Sequence, residues 1–169
     1  GRSISLSSFA RYGLLEGLLG YDKKGQQYGG VLNKYAPLNS RATLKNKANQ
    51  AALKKQSDLL IRYFEGVVYS TRKTDPSKDP WVNTRDYSLL KPAGINALLL
   101  VLSRIMEKYP KAELDFKSYL KPLSTQSFRR NYIARQGGGW KGFRGLANAM
   151  LRKLNQKHKK DAIRLFGSK

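Results

Sequence analysis

The sequence predicts a mainly α fold, a compact bundle of five to six helices with at most one small strand element. Three observations carry that expectation. Apolar residues recur at helical spacing over residues 59–68, 95–106 and 143–154. The six prolines, from Pro37 to Pro122, fall outside those stretches or at their start. Hydrophobic residues are 40 % of the chain and aromatics 11 %, which supplies a core and excludes a disordered basic tail. At 169 residues, without a fixed-period repeat, residues 1–169 read as one helical domain with a basic subregion over 124–169.

The first helix is expected after Ser5 or Ser7, with Phe9, Leu14 and Leu18 on its apolar side and Gly20 as its stop. Residues 20–42 lack periodicity and read as an irregular connection. From 44 to 70 one long helix is predicted. Its first half is polar and basic, and Leu59, Leu60, Tyr63, Phe64, Val67 and Val68 form a core-facing stripe in its second half. Asp75-Pro76 to Asp79-Pro80 is a loop by its turn residues, and 81–90 reads as a short extended piece.

Pro92 suits the first position of the next helix. That helix is apolar nearly all round between Ala97 and Leu102, which marks it as the buried centre, and Pro110 ends it. A shorter amphipathic helix is expected over 112–120, broken by Pro122. Ser124 or Thr125 caps the following helix, which Gly137-Gly138-Gly139 interrupts. From Trp140 a last long helix carries Phe143, Leu146, Ala147, Met150, Leu151 and Leu154 as one stripe, ahead of a tail with Ile163, Leu165 and Phe166.

Charge separates the two ends of the chain. Lys+Arg number 33 against 11 Asp+Glu, a formal net charge of +22. Between Arg129 and Lys169 lie 12 basic residues and one acid, Asp161, so this quarter holds +11, half the total. A concentrated field of one sign draws in polyanions, of which nucleic acid is the commonest. An anionic membrane surface, an acidic protein, or a merely soluble basic surface would accommodate the same charge. No run of eighteen apolar residues predicts a membrane span, and the start lacks the pattern of a signal peptide. The absence of cysteine excludes disulfides and thiolate metal sites and suits the cytoplasm, at the nucleoid if the partner is DNA. A start at Gly1 suggests a piece of something longer.

Little enzymatic chemistry is visible. His158, the single histidine, sits among lysines and reads as a surface side chain. Asp75, Asp79 and Asp86 are the only loose acidic cluster, without a further acid at useful spacing for a two-metal site. Glu113 and Asp115 point to different sides of a helix. The reading is therefore a non-enzyme with no cofactor and no metal.

The segment from Gly137 to Gly145 is the sharpest local feature. Glycines allow close backbone approach, and a helix start with Lys141 and Arg144 on its first turn would hold a phosphate. Gly137, Gly138 and Gly139 are thus a phosphate-loop candidate, and equally a plain connection with Trp140 filling a core gap; the P-loop spacing is not met. Lys141, Arg144, Arg152 and Lys153 oppose the apolar stripe without acidic partners among them, and Arg129, Arg130 and Arg135 extend the surface. Lys157, Lys159 and Lys160 complete the predicted nucleic-acid-binding set. Nothing marks a base-reading helix, so backbone contact without a sequence code is expected.

Four stretches together resemble the C-terminal part of the DGQHR-domain family, ParB-like bacterial proteins found with DNA-modification and phage-defence genes, the DNA phosphorothioation regulators among them. They are Ile4-Ser-Leu-Ser-Ser-Phe, Leu60-Ile-Arg-Tyr-Phe-Glu-Gly-Val, Tyr87-Ser-Leu-Leu-Lys-Pro-Ala-Gly-Ile-Asn-Ala-Leu and Trp140-Lys-Gly-Phe-Arg-Gly-Leu. The Asp-Gly-Gln-His-Arg signature itself is absent, so any nucleotide chemistry tied to it does not carry over. The resemblance implies the helical C-terminal region of a larger protein, contacting DNA, assembling with itself or its parent, or both. The expected partner is nucleic acid, DNA before RNA, and not a membrane. The rival expectation is an oligomerisation or interaction domain that uses Tyr12, Tyr21, Tyr28 and Tyr35 at an interface.

Overall fold

The computed structural model describes Leu18 and residues 30–39, 41–43, 45–137 and 139–167. Within them run six α-helices: α1 (Val31–Tyr35), α2 (Lys47–Thr71), α3 (Pro92–Lys108), α4 (Phe116–Tyr119), α5 (Arg130–Arg135) and α6 (Gly139–Lys157). Short 3₁₀ turns, Thr125–Phe128 and Lys159–Asp161, precede α5 and follow α6. The mainly helical expectation holds. The capped helix expected before Gly20 lies outside the described residues, apart from Leu18, which is buried.

The Asn46 side chain caps α2, accepting from the backbone N–H of Ala48 at 2.9 Å. The helix buries Leu59, Tyr63 and Val67, with Leu60, Phe64 and Val68 half-buried beside them. Its polar first half is more than a solvated face. The Asn49 amide donates to the carbonyls of Asn39, Ala42 and Thr43 at 3.1–3.3 Å, and Gln56 donates to those of Leu32 and Ala36 at 3.3 and 2.8 Å. These bonds organise a stretch expected to be irregular, which instead contains α1. Tyr35, expected to be exposed, is half-buried against the core; Tyr12, Tyr21 and Tyr28 lie outside the described residues.

Pro92 occupies the first turn of α3, where its missing N–H costs nothing. Every residue of α3 from Gly94 to Ser103 is buried, so this helix is the centre of the molecule. It packs most closely on α6, while the Tyr63 hydroxyl of α2 donates to the Leu98 carbonyl at 2.7 Å. Phe116 and Tyr63 meet edge to face at 5.6 Å, joining α4 to α2.

Three further expected elements differ. The single helix expected from Ser124 or Thr125 to the glycines is a 3₁₀ turn capped by Ser124, then α5, with extended backbone at Arg129 between them. The helix predicted over 112–120 is confined to Phe116–Tyr119. Ala112 takes a left-handed conformation (φ 53°), which cannot begin a right-handed helix, and Asp115 caps the helix that follows, accepting from Lys117 N–H at 3.1 Å. The extended piece expected over 81–90 is mostly turns with a single antiparallel bridge, Tyr87 to Arg129. Ser88 N–H donates to Phe128 O at 2.8 Å and Arg130 N–H to Asp86 O at 2.9 Å, with no strand among the described residues.

The tail runs back along α6. Asn155 accepts from Ile163 N–H at 2.7 Å and donates to the Ile163 carbonyl at 2.8 Å. Asn148 repeats the pattern on Phe166 at 2.8 and 3.0 Å. Each asparagine amide thereby replaces the backbone partner that an extended segment would otherwise lack.

Candidate nucleic-acid interface

The bridge at Tyr87 fixes the entry to α5, and α5 fixes the first basic side chains. Arg129, Tyr132 and Arg135 stand three residues apart and so neighbour one another along the short helix. With Gln126 and Asn131 they line a polar depression of about 430 Å³. The Arg129 guanidinium also lies 5.6 Å from the Tyr87 ring centroid, a cation–π contact that holds its stem. Arg130 is exposed but does not line the depression; its backbone is taken up in the bridge to Asp86.

The glycine segment connects α5 to α6 by close packing. Gly137 and Gly139 take φ of 83° and 60°, values that disfavour any side chain, and Gly138 lies outside the described residues. A Cβ on Gly142 would sit 2.1 Å from the Gly137 carbonyl oxygen, so glycine there lets the segment lie against the first turn of α6. Trp140 is half-buried against the core, as the connection reading expects, with the Arg144 guanidinium 4.8 Å above its ring.

Along α6 the cations differ in exposure. Lys141, Arg144 and Arg152 are exposed on the side away from the buried Leu146, Met150 and Leu154. Lys153 is half-buried and donates to the Ser124 hydroxyl at 2.9 Å, and desolvation holds its pKa below the ordinary lysine value. Lys157, Lys159 and Lys160 are exposed at the far end. A helix rises 1.5 Å per residue and completes a turn in 3.6, so Lys157 lies about 24 Å from Lys141 along the axis and well round the helix from it. The predicted residues thus divide into a concave group at Arg129 and Arg135 and an elongated group along α6.

Among the described residues, no carboxylate forms an ion pair with this set. The ion pairs among the described residues are Arg72–Asp79, Lys78–Asp75, Arg104–Glu107 and Lys108–Asp161, and none includes a predicted binding residue. Asp161, the one acid of the C-terminal quarter, turns to Lys108 of α3 at 3.7 Å.

The remaining candidates for chemistry are occupied structurally. His158 is half-buried and not a free surface side chain: it stacks on Tyr119 with centroids 4.4 Å apart, and its Nε2 lies 3.0 Å from the Tyr119 carbonyl oxygen. Asp79 pairs with Arg72 and accepts from Trp81 N–H, Asp86 accepts from Asn83, and Asp75 accepts from Ser77. Among the described residues, no three His, Asp or Glu side chains gather as a metal site, and no helix is long and apolar enough to cross a membrane. Comparison with known proteins yields no match, whether to a family model, a curated protein or a solved structure.

Sequence reasoning missed Gln126, Asn131 and Tyr132. The three-residue spacing of Arg129, Tyr132 and Arg135 was the available signal, since it places an aromatic ring between two guanidiniums.

Proposed function

We propose that this chain is a non-enzymatic nucleic-acid-binding module that holds double-stranded DNA by its phosphate backbone, within a DNA-modification or defence-associated protein of the bacterial cytoplasm or nucleoid. The observation that carries this reading is the set of ten cations from Arg129 to Lys160 with no carboxylate partner among the described residues. Concentrating like charge disfavours the folded chain, and a polyanion relieves that cost by releasing its counterions. The resemblance to the DGQHR-domain proteins supplies the DNA-modification setting.

The test is binding to duplex DNA across a salt series. Affinity should fall steeply between low and moderate salt, with little dependence on sequence. Replacing Arg129, Arg130, Lys141 and Arg144 together by Ala should flatten the log–log salt slope by about 3.6 units, since each lost phosphate contact removes about 0.9. Absence of binding at low ionic strength would end the reading.

A second reading, an oligomerisation or protein-interaction domain of a larger ParB-like protein, has its own observation. Ile61, Phe64, Val68, Tyr69 and Trp81 line an apolar groove of about 620 Å³, and Ile61 and Tyr69 are 57 % and 62 % exposed. Light scattering discriminates: a stable dimer indifferent to DNA, dispersed by Ile61→Ser with Tyr69→Ser, would favour it.

A further inference from the structure

The depression on α5 differs from the rest of the basic surface in ways that bear on what it holds. A groove for the duplex backbone needs only outward cations, as along α6. Here the wall also carries a tyrosine ring and two side-chain amides. Tyr132 is half-buried, its body anchored against the core, while Gln126 and Asn131 are exposed. An aromatic side chain in such a wall is the kind of group a base stacks on, and carboxamides donate to and accept from base edges. Arg129 and Arg135 flank the ring at three-residue spacing, where forked guanidiniums meet phosphate oxygens. A volume of about 430 Å³ lies within the range of small-ligand sites and is too small for a duplex.

We propose that this depression seats one unpaired nucleotide of the bound strand: its base stacks on Tyr132, its edge meets Asn131 and Gln126, and its phosphate lies between Arg129 and Arg135. The inference rests on the nucleic-acid reading above and adds strand state to it. The α6 cations hold the paired backbone, and the α5 depression takes a base that has left the stack. Every base has a π face, so this selection needs no sequence preference. DNA and RNA share the required chemistry.

The experiment measures fluorescence anisotropy at one low salt concentration with three probes: a blunt DNA duplex, the same duplex with a three-nucleotide single-stranded end, and that duplex with the end in RNA. The overhang should tighten binding at least fivefold over the blunt duplex. Tyr132→Ala should erase that difference while leaving blunt-duplex affinity within about twofold, and Tyr132→Phe should retain it. With 2-aminopurine in the overhang, binding by the wild type should quench its fluorescence through stacking, and binding by Tyr132→Ala should not. Should Tyr132→Ala fail to fold, Gln126→Ala with Asn131→Ala, both exposed, should still reduce the overhang preference. Equal affinity for blunt and overhang duplexes, or an unquenched probe in the bound wild-type complex, overturns the proposal. Failure of the wild type to bind any of the three probes would instead remove the nucleic-acid reading itself. Tighter binding of the RNA end would assign the nucleotide to RNA.

Discussion

Residues 47–91 and residues 129–160 both carry many polar side chains and use them in opposite ways. In the first region several polar groups bond within the fold, although many others are exposed. Tyr63 bonds the Leu98 carbonyl, Trp81 bonds Thr71 at 2.9 Å, and Arg72 closes on Asp79 at 3.0 Å. In the second, every cation but Lys153 is exposed, Arg129 and Arg135 in the depression and others along α6, and the stretch contains no acid. The first arrangement exchanges solvent bonds for internal ones and stabilises the fold. The second raises the folded chain's self-repulsion. That difference separates charges that are bonded within the fold from charges that are not, and the proposed binding function rests on the second group.

The largest effect expected from this contrast appears at alkaline pH. Burial pushes the Tyr63 phenol far above its ordinary value, and Tyr119 and Tyr109 are raised as well, desolvation being the first cause in each. The unfolded chain releases such a proton near pH 10, while the folded chain keeps it. Stability is therefore complete below pH 10 and is lost as pH rises above it, by about 1.4 kcal/mol per pH unit for Tyr63 alone. Urea titrations from pH 8 to 11 should show this decline, and Tyr63→Phe should make it shallower.

A smaller effect is expected from Asp79→Ala, which should cost about 1 kcal/mol. It removes a side chain that is only 2 % exposed and that both pairs with Arg72 and accepts from Trp81 N–H at 3.0 Å. Arg152→Ala, by contrast, should change stability by less than about 0.5 kcal/mol. Equal costs by urea denaturation would break the comparison.

The smallest effect concerns salt. Raising NaCl from low to moderate concentration should stabilise the chain by up to about 1 kcal/mol, because screening relieves repulsion within a molecule of net charge +22. A fold dependent on its ion pairs would lose stability instead, so thermal melts across the series give the sign directly.

Long amphipathic helices were legible in the sequence. The stripes of α2, α3 and α6 each run for many residues, and their buried sets follow those patterns. Five residues cannot display a period, so α1 was not legible; its supports, Asn49 and Gln56, are distant amides that read as surface positions. The shortened α4 depends on the left-handed turn at Ala112, a conformation its residue type disfavours. At the candidate site, sequence could place cations on helices but could not distinguish Lys153, drawn in by Ser124, from Arg152 beside it. The depression was hidden for a related reason: its concavity arises where α5 meets the 3₁₀ turn, and charge counting is blind to shape.

The paired asparagines that grip the tail act together as a ruler. Seven residues separate Asn148 from Asn155, about 10.5 Å of helical rise, and three separate Ile163 from Phe166, about 10 Å of extended chain. The two lengths agree only at this offset, so adding or deleting one tail residue would leave at most one amide engaged. Variation in the length of the chain should therefore collect after Phe166 and not between the two grips.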